Sequence, residues 1–141
     1  MPTGIRTDSQ NEVIYAGHFR SASTINPIPQ PAAGTLNATG TLTAALLLGG
    51  IVTSTTAAGV TATLDTATLL DTAYLALFPN ALVNDYFELS VINTGANTFT
   101  IATAAGWTDG GNGFAAVAAN SSARFGFRRT AANAWTIFKI A

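Results

Sequence analysis

The sequence predicts a mainly β fold: a jelly-roll-like sandwich or barrel with one short α-helix, at about residues 66–78, and an extended N-terminal arm. Three observations lead there. After residue 85, short runs alternate apolar residues with Thr or Ser and are separated by Asn/Gly turns. One stretch has clear helical periodicity and is stopped by Pro79. A proline-rich stretch before Gly34 divides the chain into an arm with its spacer, residues 1–33, and a β-rich body, residues 34–141.

The arm holds the apolar run Val13-Ile-Tyr15-Ala-Gly-His18-Phe19, followed by Arg20. Behind it, Pro27, Pro29 and Pro31 stand at alternate positions. Each proline fixes φ and removes a backbone donor, so the spacer reads as extended and stiff. An apolar run behind such a spacer reads as an arm that docks on another surface, with Tyr15, His18, Phe19 and Arg20 as its candidate contact residues. A strand of the domain itself is the alternative.

Within the body, Thr43-Ala-Ala-Leu-Leu-Leu-Gly49 reads as one short helical turn, with Thr43 as N-cap and Gly49 as the stop. Residues 51–56 and 60–64 are rich in β-branched side chains and read as two short strands. Next, Leu69, Leu70, Ala73, Tyr74, Leu77 and Phe78 recur at helical spacing on one face of a helix, with Asp65 or Thr66 as cap. Phe87, Leu89 and Val91 then alternate with Glu88 and Ser90, and Phe99 and Ile101 with threonines. With Asn93-Thr-Gly-Ala-Asn97 between them they predict a hairpin. Asp109-Gly-Gly-Asn-Gly113 reads as a loop, and residues 114–118 as a weaker strand. Residues 124–128, with Phe125 and Phe127 on one face, turn at 130–133 into a last strand around Trp135, Ile137 and Lys139.

Composition limits function. Charged residues are 9% of the 141-residue chain, where ordinary domains carry about a quarter. So few charges leave a monomer poorly protected against association, which favours a domain covered by partners. Formal charge runs 0, −5 and +4 over residues 1–33, 34–123 and 124–141. Arg124, Arg128 and Arg129 therefore meet either acids of the same body or acids on a neighbouring chain. With no cysteine there is no disulfide framework and no thiolate chemistry. The longest apolar run, residues 44–52, falls short of the roughly 18–20 residues a membrane span needs. The N-terminus lacks the pattern of a signal peptide. The sequons at Asn37 and Asn120 read as chance matches in a Thr/Ser/Asn-rich chain.

Catalysis needs titratable groups brought together. His18 is the one histidine, and it stands in the arm; the seven acids are scattered. No catalytic site, cofactor or metal site is expected. Asp109 and Asn112 among glycines suggest a calcium loop but lack the further acids, so a plain turn is expected. The Arg124-Phe-Gly-Phe-Arg128-Arg129 strand has a basic–aromatic pattern, yet a slightly acidic chain with few cations does not fit nucleic-acid binding. Arginine suits a rim or subunit contact instead, through its planar donors.

The order of these segments resembles a family. A Leu47-Leu-Gly-Gly-Ile51 turn is followed by Thr-rich strands and a capped helix. Then come Phe87-Glu-Leu-Ser-Val-Ile-Asn93, Thr98-Phe-Thr-Ile-Ala102, a glycine loop, Ser121-Ser-Ala-Arg-Phe-Gly-Phe-Arg-Arg-Thr130 and Ala134-Trp-Thr-Ile-Phe138. Over about residues 40–141 this resembles small head proteins of tailed bacteriophages, of the decoration or cement type. The resemblance implies a virion protein on the capsid surface that forms homotrimers and bridges major capsid protein subunits, with no nucleic-acid or membrane partner. Related β modules occur in fibres, which keeps a receptor- or carbohydrate-binding module open, with Trp107 or Tyr86 as sugar platform and Asp109 and Asn112 as polar contacts.

Overall fold

The computed structural model describes residues 30–141. The arm residues Tyr15, His18, Phe19 and Arg20 lie outside the described residues. The body is mainly β, as expected, and is built on two sheets. Its elements are β1 (Gly34–Thr35), β2 (Gly40–Leu42), α1 (Ala44–Leu48), β3 (Ile51–Ser54), β4 (Val60–Leu64) and α2 (Ala67–Leu77). They continue as β5 (Tyr86–Asn93), β6 (Phe99–Ala102), β7 (Trp107–Gly111), β8 (Ser121–Ala131) and β9 (Ala134–Lys139). One sheet has six strands in the order β1-β3-β5-β8-β9-β7, and the other has three in the order β2-β4-β6.

The first half is a stack of parallel passes. Each pass lays a strand in the large sheet, turns a corner, and lays the next strand in the small sheet. Two of the passes return through a helix, α1 or α2. Gly34 thus stands beside Val52 and Val52 beside Val91, while Gly40 stands beside Ala62 and Ala62 beside Ile101. Parallel neighbours need such long crossovers, and here the other sheet and the helix supply them.

This topology corrects the expected hairpin. Residues 87–91 and 99–101 are strands, but they lie in different sheets and do not pair. Asn93 explains why. Its side chain is buried at the corner and donates to the carbonyls of Asn97, Val117 and Ala118, while its Oδ1 accepts from the Gly95 N–H. A local turn signal is thereby used to change sheets rather than to reverse within one. Residues 114–118 form no strand; Val117 makes a single antiparallel bridge to Phe99. The glycine loop begins inside β7, where Trp107–Gly111 runs parallel to β9.

The corners also give the Thr/Asn-rich composition a physical role. The Asn37 Oδ1 accepts from the Thr55 N–H at 2.8 Å, and the Thr39 Oγ1 accepts from the Thr61 N–H at 3.1 Å. The Asn97 side-chain amide donates to the Ala57 carbonyl, and the Thr94 N–H donates to the Ser54 carbonyl. Corner backbone that no ladder can satisfy is bonded by short polar side chains of the adjacent pass.

The second half is antiparallel. β8 pairs with β5 on one side and with β9 on the other, and Asn133 supplies the left-handed residue (φ 62°) of the turn between β8 and β9. Between the sheets lie Leu42, Val52, Val60, Ala62, Leu64, Leu89, Val91, Phe99 and Ile101, which merge with Phe125, Phe127, Trp135 and Ile137 into one core.

Candidate protein interface

Two helices form the third side of the stack. The α1 turn is short, and it holds because both ends are tied. Thr43 Oγ1 accepts from the Leu46 N–H, and the Asp65 carboxylate accepts from the Ala44 N–H at 2.8 Å. Gly49 closes it, with its N–H on the Ala45 carbonyl. Of the two predicted caps for the longer helix, Thr66 takes that place and accepts from the Leu69 N–H, while Asp65 serves α1 instead.

The predicted single apolar face of α2 splits into two stripes. Ala67, Leu70, Asp71 and Tyr74 are buried. Leu69 and Leu77 are 53% and 62% exposed, and Phe78, just past the helix, is 52% exposed. The exposed stripe continues into the loop before β5, where Leu82 and Val83 are 69% and 54% exposed. Alongside it, Ala73, Ala76 and Leu77 of α2 face Ala45 and Leu48 of α1 and Pro31 across a shallow apolar groove. Gln30 anchors the chain at the end of this groove, its side-chain amide donating to the Gly49 carbonyl at 2.7 Å.

Formal charge is sparse on this surface: Asp85, half-buried, lines a second pocket with Tyr74, Leu77, Phe78 and Ala81. From residue 30 to residue 84 the chain carries only Asp65 and Asp71. Asp65 is half-buried, and Asp71 is buried. Exposed apolar side chains with so little charge among them are unusual on a free soluble surface and mark a place where another chain packs.

Asp71 is the residue that sequence periodicity misses. It stands on the core stripe of α2 and accepts four hydrogen bonds. Arg129 holds it bidentately, Nε on Oδ1 at 2.5 Å and Nη2 on Oδ2 at 2.8 Å. The Trp135 indole N–H and the Asn133 backbone N–H complete the set, each at 3.0 Å. The Arg129 bonds hold the Asp71 carboxyl below the usual carboxylate range against the opposing effect of burial. Burial, with the nearby Asp85 carboxylate, pushes the Tyr74 hydroxyl up. Tyr74 meets the Trp135 ring edge-on, with centroids 5.1 Å apart, so α2 is fastened to β8 and β9 by charge and by aromatic packing together.

The three candidate arginines therefore part company. Arg124 and Arg128 point out of the six-stranded sheet, whereas Arg129, next in sequence, points inward by strand alternation. Arg129 is 7% exposed and paired inside the chain, so it is not available to a neighbouring subunit. Arg124 is exposed and meets Glu88 of the same chain at 3.3 Å. Arg128 is exposed, donates to the Asn84 side chain at 3.0 Å, and stands over the Phe138 ring. Two of the four cations of the +4 segment, Arg124 and Arg129, are thus answered by acids of their own body, while Arg128 and Lys139 donate to the neutral oxygens of Asn84 and Ala116.

Trp107 is half-buried against Phe127, and its indole N–H donates to the Asp65 carbonyl at 2.7 Å. It packs against the core as a partly buried side chain. Tyr86 is exposed, with its hydroxyl donating to Glu88. Asp109 accepts from the N–H groups of Gly111 and Gly113 through one carboxylate oxygen. Comparison of the chain with protein-family models, with curated proteins and with solved structures finds no match.

Proposed function

We propose that this protein is a virion structural protein, a decoration or cement protein that stabilises a tailed-bacteriophage head by packing against major capsid protein subunits, as a homotrimer and without chemistry of its own. The observation that carries the packing half is the sparsely charged apolar surface made by the α1–α2 groove and the exposed Leu77, Phe78, Leu82 and Val83. A rigid body held by corner hydrogen bonds and one merged core suits a part that must keep its shape under load. The phage half rests on the resemblance of residues 40–141 to small head proteins. For the fibre-module alternative, Tyr86 is an exposed aromatic and Trp107 is half-buried against the core.

The test is cosedimentation of the purified full chain with head shells of the source phage stripped of their small proteins. The expected result is saturable binding that Leu82→Asp weakens by about tenfold or more, as loss of a buried apolar anchor does. Absence of binding to intact shells, beside retention on a glycan array, would move the protein to a fibre.

A further inference from the structure

The recess at the C-terminal end of α2 holds a carboxylate among apolar walls. It measures about 400 Å³ and is lined by Tyr74, Leu77, Phe78, Pro79 and Ala81, with Asp85 among them. The local sequence builds it. Pro79 ends the helix, and the chain turns back so that the Asp85 Oδ2 accepts from the Leu82 N–H at 3.0 Å. The Tyr74 hydroxyl stands 3.5 Å from the same oxygen. The Tyr74 and Phe78 rings have centroids 4.8 Å apart, Tyr74 buried and Phe78 exposed.

The charge of Asp85 is left open by its surroundings. Of the five acids in residues 34–123, Asp71 and Glu88 are in ion pairs, and Asp65 and Asp109 bond backbone N–H groups. Among the described residues no Lys or Arg lies within ion-pair distance of Asp85, and its Oδ1 accepts no hydrogen bond. Arg129 has its guanidinium held by Asp71, and Arg128 donates to Asn84. A half-buried carboxylate beside an exposed ring and apolar walls suits a cation on an apolar stem. The charge meets the carboxylate, the head lies over the ring, and the stem lies along Leu77 and Ala81. Arginine fits this better than lysine, because its planar head pairs with a carboxylate and stacks on an aromatic face at once.

We infer that this recess is a socket for an arginine side chain of the chain that packs on the helical side. The occupant is a partner's arginine rather than one from a second copy of this chain. The inference deepens the proposed function and rests on it for the identity of that partner. It gives a mostly apolar contact one polar key, which fixes register and disfavours acidic surfaces.

The test titrates the full chain with the blocked tripeptide acetyl-Gly-Arg-Gly-amide and with its neutral citrulline counterpart, following the Leu82 and Asp85 backbone amides by NMR. The arginine peptide is expected to shift both amides saturably, with a Kd on the order of millimolar. Citrulline is expected to bind about fivefold more weakly. Asp85→Asn keeps an oxygen for the Leu82 N–H and is expected to bring the arginine peptide down to the citrulline level. Phe78→Leu changes an exposed side chain and is expected to weaken arginine about threefold, which keeps the test decisive if Asp85→Asn does not fold. No saturable shift, equal binding of the two peptides, or undiminished arginine binding by both variants overturns the inference. So does a change in the sedimentation of the free protein on Asp85→Asn, which would give the socket to a second copy. On head shells, Asp85→Asn is expected to weaken binding about tenfold or more; shells that bind parent and variant equally overturn the inference. Shells that ignore the parent while the arginine peptide still binds overturn the head reading and support the socket.

Discussion

The helical side and the antiparallel sheet treat polarity in opposite ways. On the outer face of β5, β8 and β9, charges are exposed and answered locally: Arg124 by Glu88, and Arg128 by Asn84 and the Phe138 ring. On the helical side the Asp71–Arg129 ion pair is buried beneath the surface, and exposed apolar side chains lie above it. A charged face of this kind stays hydrated and keeps molecules apart, whereas an uncharged apolar face gains free energy when it is covered. The comparison teaches where a partner should be sought, and it separates residues that maintain the fold from residues that are free to bind.

The largest effect should come from breaking the link between the two regions. Asp71→Ala leaves the Arg129 guanidinium buried without its partner and should cost about 3–5 kcal/mol in urea unfolding. Replacing both residues, Asp71→Leu with Arg129→Met, should recover much of that loss, because no uncompensated charge remains. A double variant as unstable as Asp71→Ala would mean that the packing around the pair, rather than its charge, dominates.

The same pair sets a pH dependence. The Asp71 carboxyl is held below its ordinary range by Arg129, so its contribution is fully present above the unfolded-state pKa and is lost as pH falls through the depressed native value. Unfolding followed from neutral to acid pH should therefore show a fall in stability that begins in the ordinary carboxylate range and continues below it. In the Asp71→Leu/Arg129→Met variant that part of the slope should vanish.

Smaller effects sharpen the contrast. Thr66→Ala removes the N-cap of α2 and should cost about 1 kcal/mol. Arg124→Ala on the sheet face should change stability by less than about 0.5–1 kcal/mol, since its ion pair is solvent-exposed. Leu82→Asp should likewise leave unfolding within about 0.5 kcal/mol of the parent, while it weakens packing onto a partner. A large loss of stability in Leu82→Asp would place that side chain in the fold rather than in an interface.

Much of this was legible in the sequence. The caps Thr43 and Thr66, the stops at Gly49 and Pro79, and the hairpin of β8 and β9 all follow from local rules, and local rules hold where neighbours in sequence are neighbours in space. The parallel stack was not legible, because its pairings join residues 18–39 positions apart, such as Gly34 with Val52 and Val52 with Val91. Alternation reports that a residue run is a strand, but it carries no mark of which strand lies beside it. The Asn93 turn failed for the same reason: a buried side chain with four long-range or corner bonds overrode a local hairpin signal.

For the interface, the sequence pointed to low charge and thus to coverage by partners, yet it put the emphasis on the arginines. The apolar helix residues read as one face because periodicity does not distinguish a face that is buried in the fold from a second stripe beside it. The position of Asp71 was the available clue. A carboxylate in line with Ala67, Leu70 and Tyr74 demands a buried cation, and the inward-pointing Arg129 supplies it.

Oxidative footprinting of side chains, in the free protein and on head shells, tests the central claim most directly. Binding is expected to protect Phe78, Leu82 and Val83, while Tyr86 and Ile140 on the sheet side keep their reactivity. Protection of Tyr86 and Ile140 with Leu82 and Val83 still reactive would contradict the account and would make the charged sheet face the interface.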